Sequence, residues 1–322
     1  EAPAPAAATV AEPAAPATAP AVRLRFAPDP GTTRIVQITT VTTLSIQGDT
    51  LQQSGTNRET LTLELEAAPP DANGNTPIAV TLAAVQMKME TGGTTRAQYD
   101  STEPPDSTNN YGKMYSPFVS GRCTMVVSAQ GRVVNFDMDK LYRAVAEVQL
   151  AARGGATDPR YQSREEYLQA LKTQCENVPR LGKHQLCSTL GKLVVALPEQ
   201  PLRESDAWSG RSTVDVDIPV EMAATYALTA ATDDICTIKM ESRRSAEQEP
   251  IVQTMDEATI RYALSGTSQA TLTVDRSTGW LLSKQETTNL SGQVETRWAG
   301  RPELDTTDQI SLEITTTVTT LE

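Results

Sequence analysis

Histidine is nearly absent from this chain: one residue, His184, in 322. That removes most His-based zinc sites and any mechanism built on two histidines. Aromatic residues are also scarce, with 3 Trp, 8 Tyr and 3 Phe. Basic residues are outnumbered, 28 Lys and Arg against 40 Asp and Glu, for a net charge of -12. A nucleic-acid surface needs clustered cations to replace counterions, so that class of partner is excluded. Docking on anionic lipid is disfavoured for the same reason. No apolar run reaches the ~18 residues of a membrane-spanning helix. The four cysteines include no C-x-x-C pair, and there is no G-x-S-x-G elbow, phosphate-binding glycine loop or H-E-x-x-H. The expectation is a non-catalytic protein with no cofactor and no metal.

What the chain has in excess is threonine, 44 residues. Much of it lies in β-branched runs such as Arg34–Ile46, which suit a pleated surface. Thr60–Glu66 alternates polar and apolar residues, as a half-buried strand does. Ile78–Met89 reads as a strand, residues 100–117 as a long loop, and Cys123–Phe136 as a hairpin turning at Gly131. After Pro198, strands are expected at Ser212–Pro219, Ala224–Thr229, Ile235–Glu241, Thr259–Leu264, Ala270–Val274, Gly279–Thr287, Gln293–Trp298 and Ile310–Leu321. The first and last strands echo each other: Gln37–Leu44 reads like Glu313–Leu321. The stretch Val119–Val134 similarly echoes Leu264–Leu282, each with a turn ending in Gly. Either a duplicated sheet half or convergent Thr-rich strand sequence gives this pattern.

The middle of the chain is helical. Leu141, Val145 and Val148 recur at helical spacing from Asp139 to Ala152, and Gly154-Gly155 stops that helix. Ser163-Arg164-Glu165-Glu166 is a capping-box pattern opening a helix to about Cys175, and Pro179 breaks it. A third helix is expected from Lys183 to Leu193. His184 falls on it as a surface residue. Asp71, Asn73 and Asn75 begin like a calcium loop, but Thr76 stands where Gly is required and Leu82 where Glu is required, so they read as a turn. Asp137 and Asp139 precede a helix and read as capping groups. Trp280 is expected in the core, and Trp208 over a sheet end.

The chain opens at Glu1 without Met, on a tract of 10 Ala and 5 Pro within residues 1–20. This reads as a mature exported protein, placed in the bacterial periplasm or at the cell surface, with its signal peptide removed. The first residue is not Cys, so an amino-terminal lipid anchor is not expected. Pro-rich sequence cannot form a regular helix or central strand, which makes residues 1–21 an arm or linker and residues 22–322 a single β-rich domain with a helical insert at 139–195. Pro3, Pro5, Pro13, Pro16 and Pro20 are the partner-binding candidates. In an exported chain an even cysteine count suggests two disulfides. A local Cys175–Cys187 bridge would flank the Pro179 turn, leaving Cys123 with Cys236; alternatively the latter two are buried thiols.

Several short motifs together resemble a family of uncharacterised bacterial exported proteins. They are Tyr99-Asp100-Ser101, Gly131-Arg132-Val133, Leu197-Pro198-Glu199-Gln200-Pro201 with Asp206-x-Trp208, and Ser277-Thr278-Gly279-Trp280-Leu281. The resemblance covers residues 22–295. It departs at Glu204-Ser205, where the family usually carries Gly before Asp-x-Trp. What it implies at fold level is similarity to the curved half-barrels of bacterial lipoprotein carriers, in which a sheet wraps helices and can enclose acyl chains. The expected fold is α+β: a large, curved, mainly antiparallel sheet, half-barrel-like, with three helices inserted mid-chain. The expected function is a structural or accessory subunit that binds other proteins through its arm and sheet edges. The alternative is a carrier of lipid or another apolar ligand.

Overall fold

The computed structural model describes residues 21–48, 52–104, 109–155, 158–178, 180–215, 218–255 and 257–321. Among the described residues thirteen strands form one sheet in which every pairing is antiparallel. They are β1 (Thr33–Gln47), β2 (Gln52–Ala67), β3 (Thr76–Thr91), β4 (Thr94–Asp100), β5 (Arg122–Val127), β6 (Val133–Asp137), β7 (Ala207–Asp215), β8 (Pro219–Ala231), β9 (Ile235–Arg244), β10 (Ile251–Met255), β11 (Ala258–Asp275), β12 (Leu281–Trp298) and β13 (Thr306–Leu321). The order across the sheet is β6-β5-β3-β2-β1-β13-β12-β11-β9-β8-β7, with β4 on β3 and β10 on β11. The sheet does not close on itself: β6 and β7 are its ends.

The two Thr-rich strands that echo each other are neighbours at the centre. Thr39 faces Thr317, Thr40 faces Thr316 and Thr43 faces Glu313. Their likeness suits strands that share one environment, half-buried on one face and solvated on the other. The other echo is of a different kind. The β5–β6 hairpin lies at one end of the sheet and the β11–β12 hairpin in its interior, yet both turns dock on the same extended segment. Phe26 N–H donates to Ala129 O at 2.9 Å, and Ala27 N–H donates to Thr278 O at 2.8 Å. Each turn carries a left-handed glycine, Gly131 at φ +66° and Gly279 at φ +72°. A Cβ on Gly279 would stand 2.2 Å from Arg25 O, and one on Gly131 2.0 Å from Val195 O. Glycine is needed at both places for conformation and for close approach.

Sequence pattern and structure differ where strands run through glycine. Thr259–Leu264 and Ala270–Val274 are one strand, as are Gly279–Thr287 and Gln293–Trp298 with their intervening residues. Gly266 and Gly292 break the hydrophobic alternation because neither position has room for a side chain; a Cβ would lie 2.0 Å from Asn289 O and from Ala263 O respectively. The 100–117 loop also contains a helix, α1 (Asn110–Tyr115), capped by Asn109 Oδ1, so there are four helices rather than three among the described residues. The short strands β4 and β10 carry too little apolar alternation to stand out in the sequence.

The remaining helices are α2 (Asp139–Ala152), α3 (Arg164–Glu176) and α4 (Lys183–Gly191). None of the described helices is long and apolar enough to cross a membrane. The buried face of α2 is Leu141, Tyr142, Val145, Ala146 and Leu150. Val148, expected on that face, is 50% exposed, because the stripe is centred on Tyr142, whose hydroxyl donates to Leu181 O at 3.0 Å. Ser163 Oγ caps α3 by accepting from Glu166 N at 3.1 Å, and the Glu166 carboxylate reaches back to Gln162 N at 2.7 Å, one residue before the position the capping box predicts. Ser163→Ala is expected to cost about 1 kcal/mol, read as a lowered urea midpoint at unchanged slope.

The helices pack with Val22, Leu24 and Phe26 against one end of the sheet's inner face, burying Val36, Ile38, Leu61, Leu63 and Val318. A second, smaller cluster lies at the other end, around Leu264, Leu290, Leu312 and Ile314.

Candidate ligand site on the inner face of the sheet

Alternate residues on each strand point to the inner face, so register decides which side chains share a row. Beside the helix-covered core, one row runs Glu59–Thr40–Thr316–Glu286 across β2, β1, β13 and β12. The next includes Asn57, Thr42, Thr288, Ser268 and Ser242, interrupted by Ile314. These rows form a polar belt across the sheet. Beyond it the face turns aliphatic again: Leu44–Leu312–Leu290, then Ile46–Ile310, and Leu264 across Gly292.

The belt is built around a buried carboxylate. Glu286 accepts from Ser268 Oγ at 2.9 Å and pairs with Lys284 Nζ at 2.7 Å, while Thr288 Oγ1 donates to Ser268 Oγ at 2.8 Å. Burial opposes the charge on Glu286, but the Lys284 and Lys192 charges and the hydrogen bonds from Lys284 and Ser268 outweigh it, holding its pKa below the ordinary value. A gap of about 30 Å³ lies between the belt and α4, lined by Thr40, Glu59, Gln185, Thr189 and Lys192 among others.

On the far side of the belt a cavity of about 410 Å³ opens to solvent. Its apolar wall includes Leu44, Ile46, Ile218, Leu264, Ile310 and Leu312. Polar groups sit at its margins: Asn57 and Arg180 at the belt side, Glu90 and Asp308 elsewhere on the rim. Glu90 is paired with Lys88 at 2.7 Å. The adjacent wall is braced by Arg244, which is buried and donates from Nε to Leu264 O at 3.1 Å and from Nη2 to Glu249 O at 2.6 Å. These bonds tie the loop before β10 to the middle of β11. The lining therefore combines an aliphatic wall, which can take up apolar surface, with polar side chains that also include Thr42, Gln53, Thr56 and Thr91.

The residues singled out in the sequence lie elsewhere. Pro3, Pro5, Pro13, Pro16 and Pro20 fall outside the described residues. All four cysteines are free thiols, so neither the Cys175–Cys187 nor the Cys123–Cys236 bridge is formed. Cys123 on β5 and Cys236 on β9 belong to opposite arms of the sheet, with β3, β2, β1, β13, β12 and β11 between them in the ladder. Cys187 instead meets Met138, Sγ to Sδ at 3.7 Å. Burial pushes the Cys123 thiol up to about 12 and Cys175 up to about 11, which leaves them as unreactive packing groups. Asp71 accepts from Asn73 N and Asn75 N at 2.8 and 2.9 Å, which is a turn. Trp280 is in the core at 1% exposure, and Trp208 stacks on Tyr226 with its Nε1 donating to Ala196 O at 2.9 Å. The cavity wall was missed because it is made of ordinary aliphatic residues from distant strands; the only signal was apolar alternation at Leu44-x-Ile46 and Ile310-x-Leu312.

No curated protein matches the chain. Among solved structures, lipovitellin, described for its lipid–protein interactions, aligns with a TM-score of 0.47 at 9% identity, over 91% of this chain and 25% of that one. The chain thus spans about a quarter of the length of lipovitellin. DynF from the dynemicin biosynthesis pathway of Micromonospora chersina aligns with a TM-score of 0.20 at 7% identity, over 96% and 92% of the two chains. A DUF1329 family protein from Desulfovibrio piger aligns with a TM-score of 0.11 at 9% identity, over 87% and 84%. At the level of sequence families, DUF6263 matches residues 73–281, from the turn before β3 to the first residue of β12. The chain belongs to DUF6263, a family of unknown function.

Proposed function

We propose that this protein is a non-catalytic, exported carrier of a lipid or another apolar ligand. The observation that carries this reading is the aliphatic wall beyond the polar belt. Helices and residues 22–27 cover one end of the inner face, whereas Leu44, Ile46, Ile310 and Leu312 line a cavity open to solvent. Its volume, about 410 Å³, lies within the ~300–1,000 Å³ typical of small-molecule pockets. Leu44, Ile46 and Ile310 are part-exposed there, and apolar side chains on a concave surface gain free energy when an apolar ligand displaces water from them.

A second reading, an accessory subunit that binds other proteins, is favoured by the open edges of β7 and β10, each paired on one side only among the described residues. Such edges can accept a partner's strand. Native mass spectrometry of protein purified from its source separates the two: a co-purifying lipid supports the carrier, a co-purifying protein the subunit.

For the carrier, 1-anilinonaphthalene-8-sulfonate is expected to bind at a single saturable site. Ile310→Glu places a charge in the wall and is expected to weaken that binding at least about tenfold, equivalent to ~1.4 kcal/mol. Equal affinity in a variant with a native circular dichroism spectrum would sink the carrier reading.

A further inference from the structure

The cavity is not the end of this face of the sheet. Beyond the row that pairs Leu264 with Gly292, the inner face of β10, β11 and β12 continues for three more rows: Ile251–Tyr262–Val294, then Gln253–Ile260–Thr296, then Met255–Ala258–Trp298. The β11–β12 register is unbroken over this stretch; its one shift lies far away, at Thr273/Val274. Side chains on these rows therefore point to the same face as Leu264.

A second depression, of about 590 Å³, occupies the outer rows and is lined by Met255, Glu257, Ala258, Ile260, Thr296 and Trp298. Tyr262 and Val294 line the first cavity, while Ile260 and Thr296, two residues further along the same strands, line the second. The two depressions are consecutive parts of one trough. From Leu264 to Ala258 it runs about 20 Å at ~3.3 Å per residue, and three strands make it about 10 Å wide. At its outer end Trp298 is half-buried, with the Arg301 guanidinium 5.1 Å from its ring centroid and Arg301 paired with Glu257 at 2.9 Å. The floor, apolar apart from Gln253, Thr296 and the Tyr262 hydroxyl, thus ends at a tryptophan framed by a neutralised charge pair.

We infer that the ligand is a long, single, linear hydrocarbon chain lying along this trough from the Leu44–Leu312 cavity to Trp298. This rests on the carrier reading and specifies its ligand class. A trough longer than it is wide gains apolar contact with each methylene added to a linear chain, whereas a compact polycyclic molecule fills one depression and leaves the other wet.

The test uses the full chain and two measurements. In the first, saturated fatty acids from octanoate to stearate compete against 1-anilinonaphthalene-8-sulfonate, with cholesterol hemisuccinate as the compact comparator. Affinity is expected to tighten severalfold with each pair of added methylenes beyond the length that fills the inner cavity, and the sterol to compete weakly. In the second, dibromostearate at saturating concentration is expected to quench tryptophan fluorescence, and Trp298→Phe, also measured at saturation, is expected to remove most of that quenching. Trp280 is 1% exposed in the core and Trp208 is stacked on Tyr226, so neither stands in for Trp298. Affinity that stops rising at octanoate, stronger competition by the sterol, or quenching unchanged in Trp298→Phe would overturn the linear-chain inference and leave the carrier reading intact. Failure of every ligand to displace the probe would overturn both.

Discussion

Trp280→Ala is expected to destabilise the protein by about 3–5 kcal/mol, while Trp280→Phe costs well under half of that. Trp280 is among the largest fully buried side chains. It stands edge-on to Phe26, ring centroids 5.1 Å apart, and Phe26 belongs to the segment that both glycine turns grip. Alanine would leave a cavity there and remove the aromatic contact that seats residues 22–27 on the sheet. Phenylalanine keeps that contact. It also removes a liability, because Trp280 Nε1 is buried without a hydrogen-bond partner. An orphaned buried donor costs about 1–3 kcal/mol, so deleting it offsets part of the lost packing. Urea denaturation of the two variants checks the claim; equal losses would show that the filled volume and the ring contact with Phe26 carry no stability.

The second large effect is electrostatic. Lys284→Met is expected to cost about 3 kcal/mol at neutral pH, because it strands the Glu286 carboxylate in the interior. Ser268 would still hydrogen-bond it and the Lys192 charge would still favour its ionised form, but without the Lys284 charge and hydrogen bond, burial would push its pKa up. In the native protein the Glu286 pKa lies below its ordinary value. Its contribution to stability is therefore fully present above the unfolded-state pKa near 4.5 and is lost as pH falls through the lower folded-state pKa. In Lys284→Met the order reverses. The carboxylate is penalised when charged, so the gap between variant and wild type narrows as pH drops toward 4 and the group protonates. The double variant Lys284→Met/Glu286→Gln removes the stranded charge and is expected to recover most of the loss. Stability of all three proteins against pH, by thermal unfolding, decides it; a pH-independent gap would mean the pair contributes only through packing.

Those two sites show how unevenly the molecule can be read from its residues. The α2 boundaries and the α3 cap were legible because they are local: a 3.6-residue repeat, an acidic first turn and a Ser with a Glu three residues on. Trp280 was legible as a core residue because it follows a glycine turn and leads an apolar strand. Lys284-x-Glu286-x-Thr288 was not legible as interior. Polar residues at alternate positions read as a solvated face, and only the register of β12 against β11 and β13 turns that face inward. Val148 went wrong for a related reason: two orientations of the α2 stripe fit the sequence, and contact with Leu181 selects the one centred on Tyr142. The cysteines misled because an even count carries no geometry, and the sheet places Cys123 and Cys236 on opposite arms.

The candidate site shows the same limit. Leu44, Ile218, Leu264, Ile310 and Leu312 are far apart in the chain and unremarkable in type, and no local pattern marks them as a wall. The sequence by itself determined the extended strands, the helical middle and the lack of catalytic motifs, since these depend on local periodicity and composition. The tertiary structure decided which alternating face is inside and where the helices stop covering it. It also left a cavity beyond the polar belt in which Leu44, Ile46 and Ile310 keep part of their surface exposed. These depend on strand order and register, which bring residues hundreds of positions apart into one row.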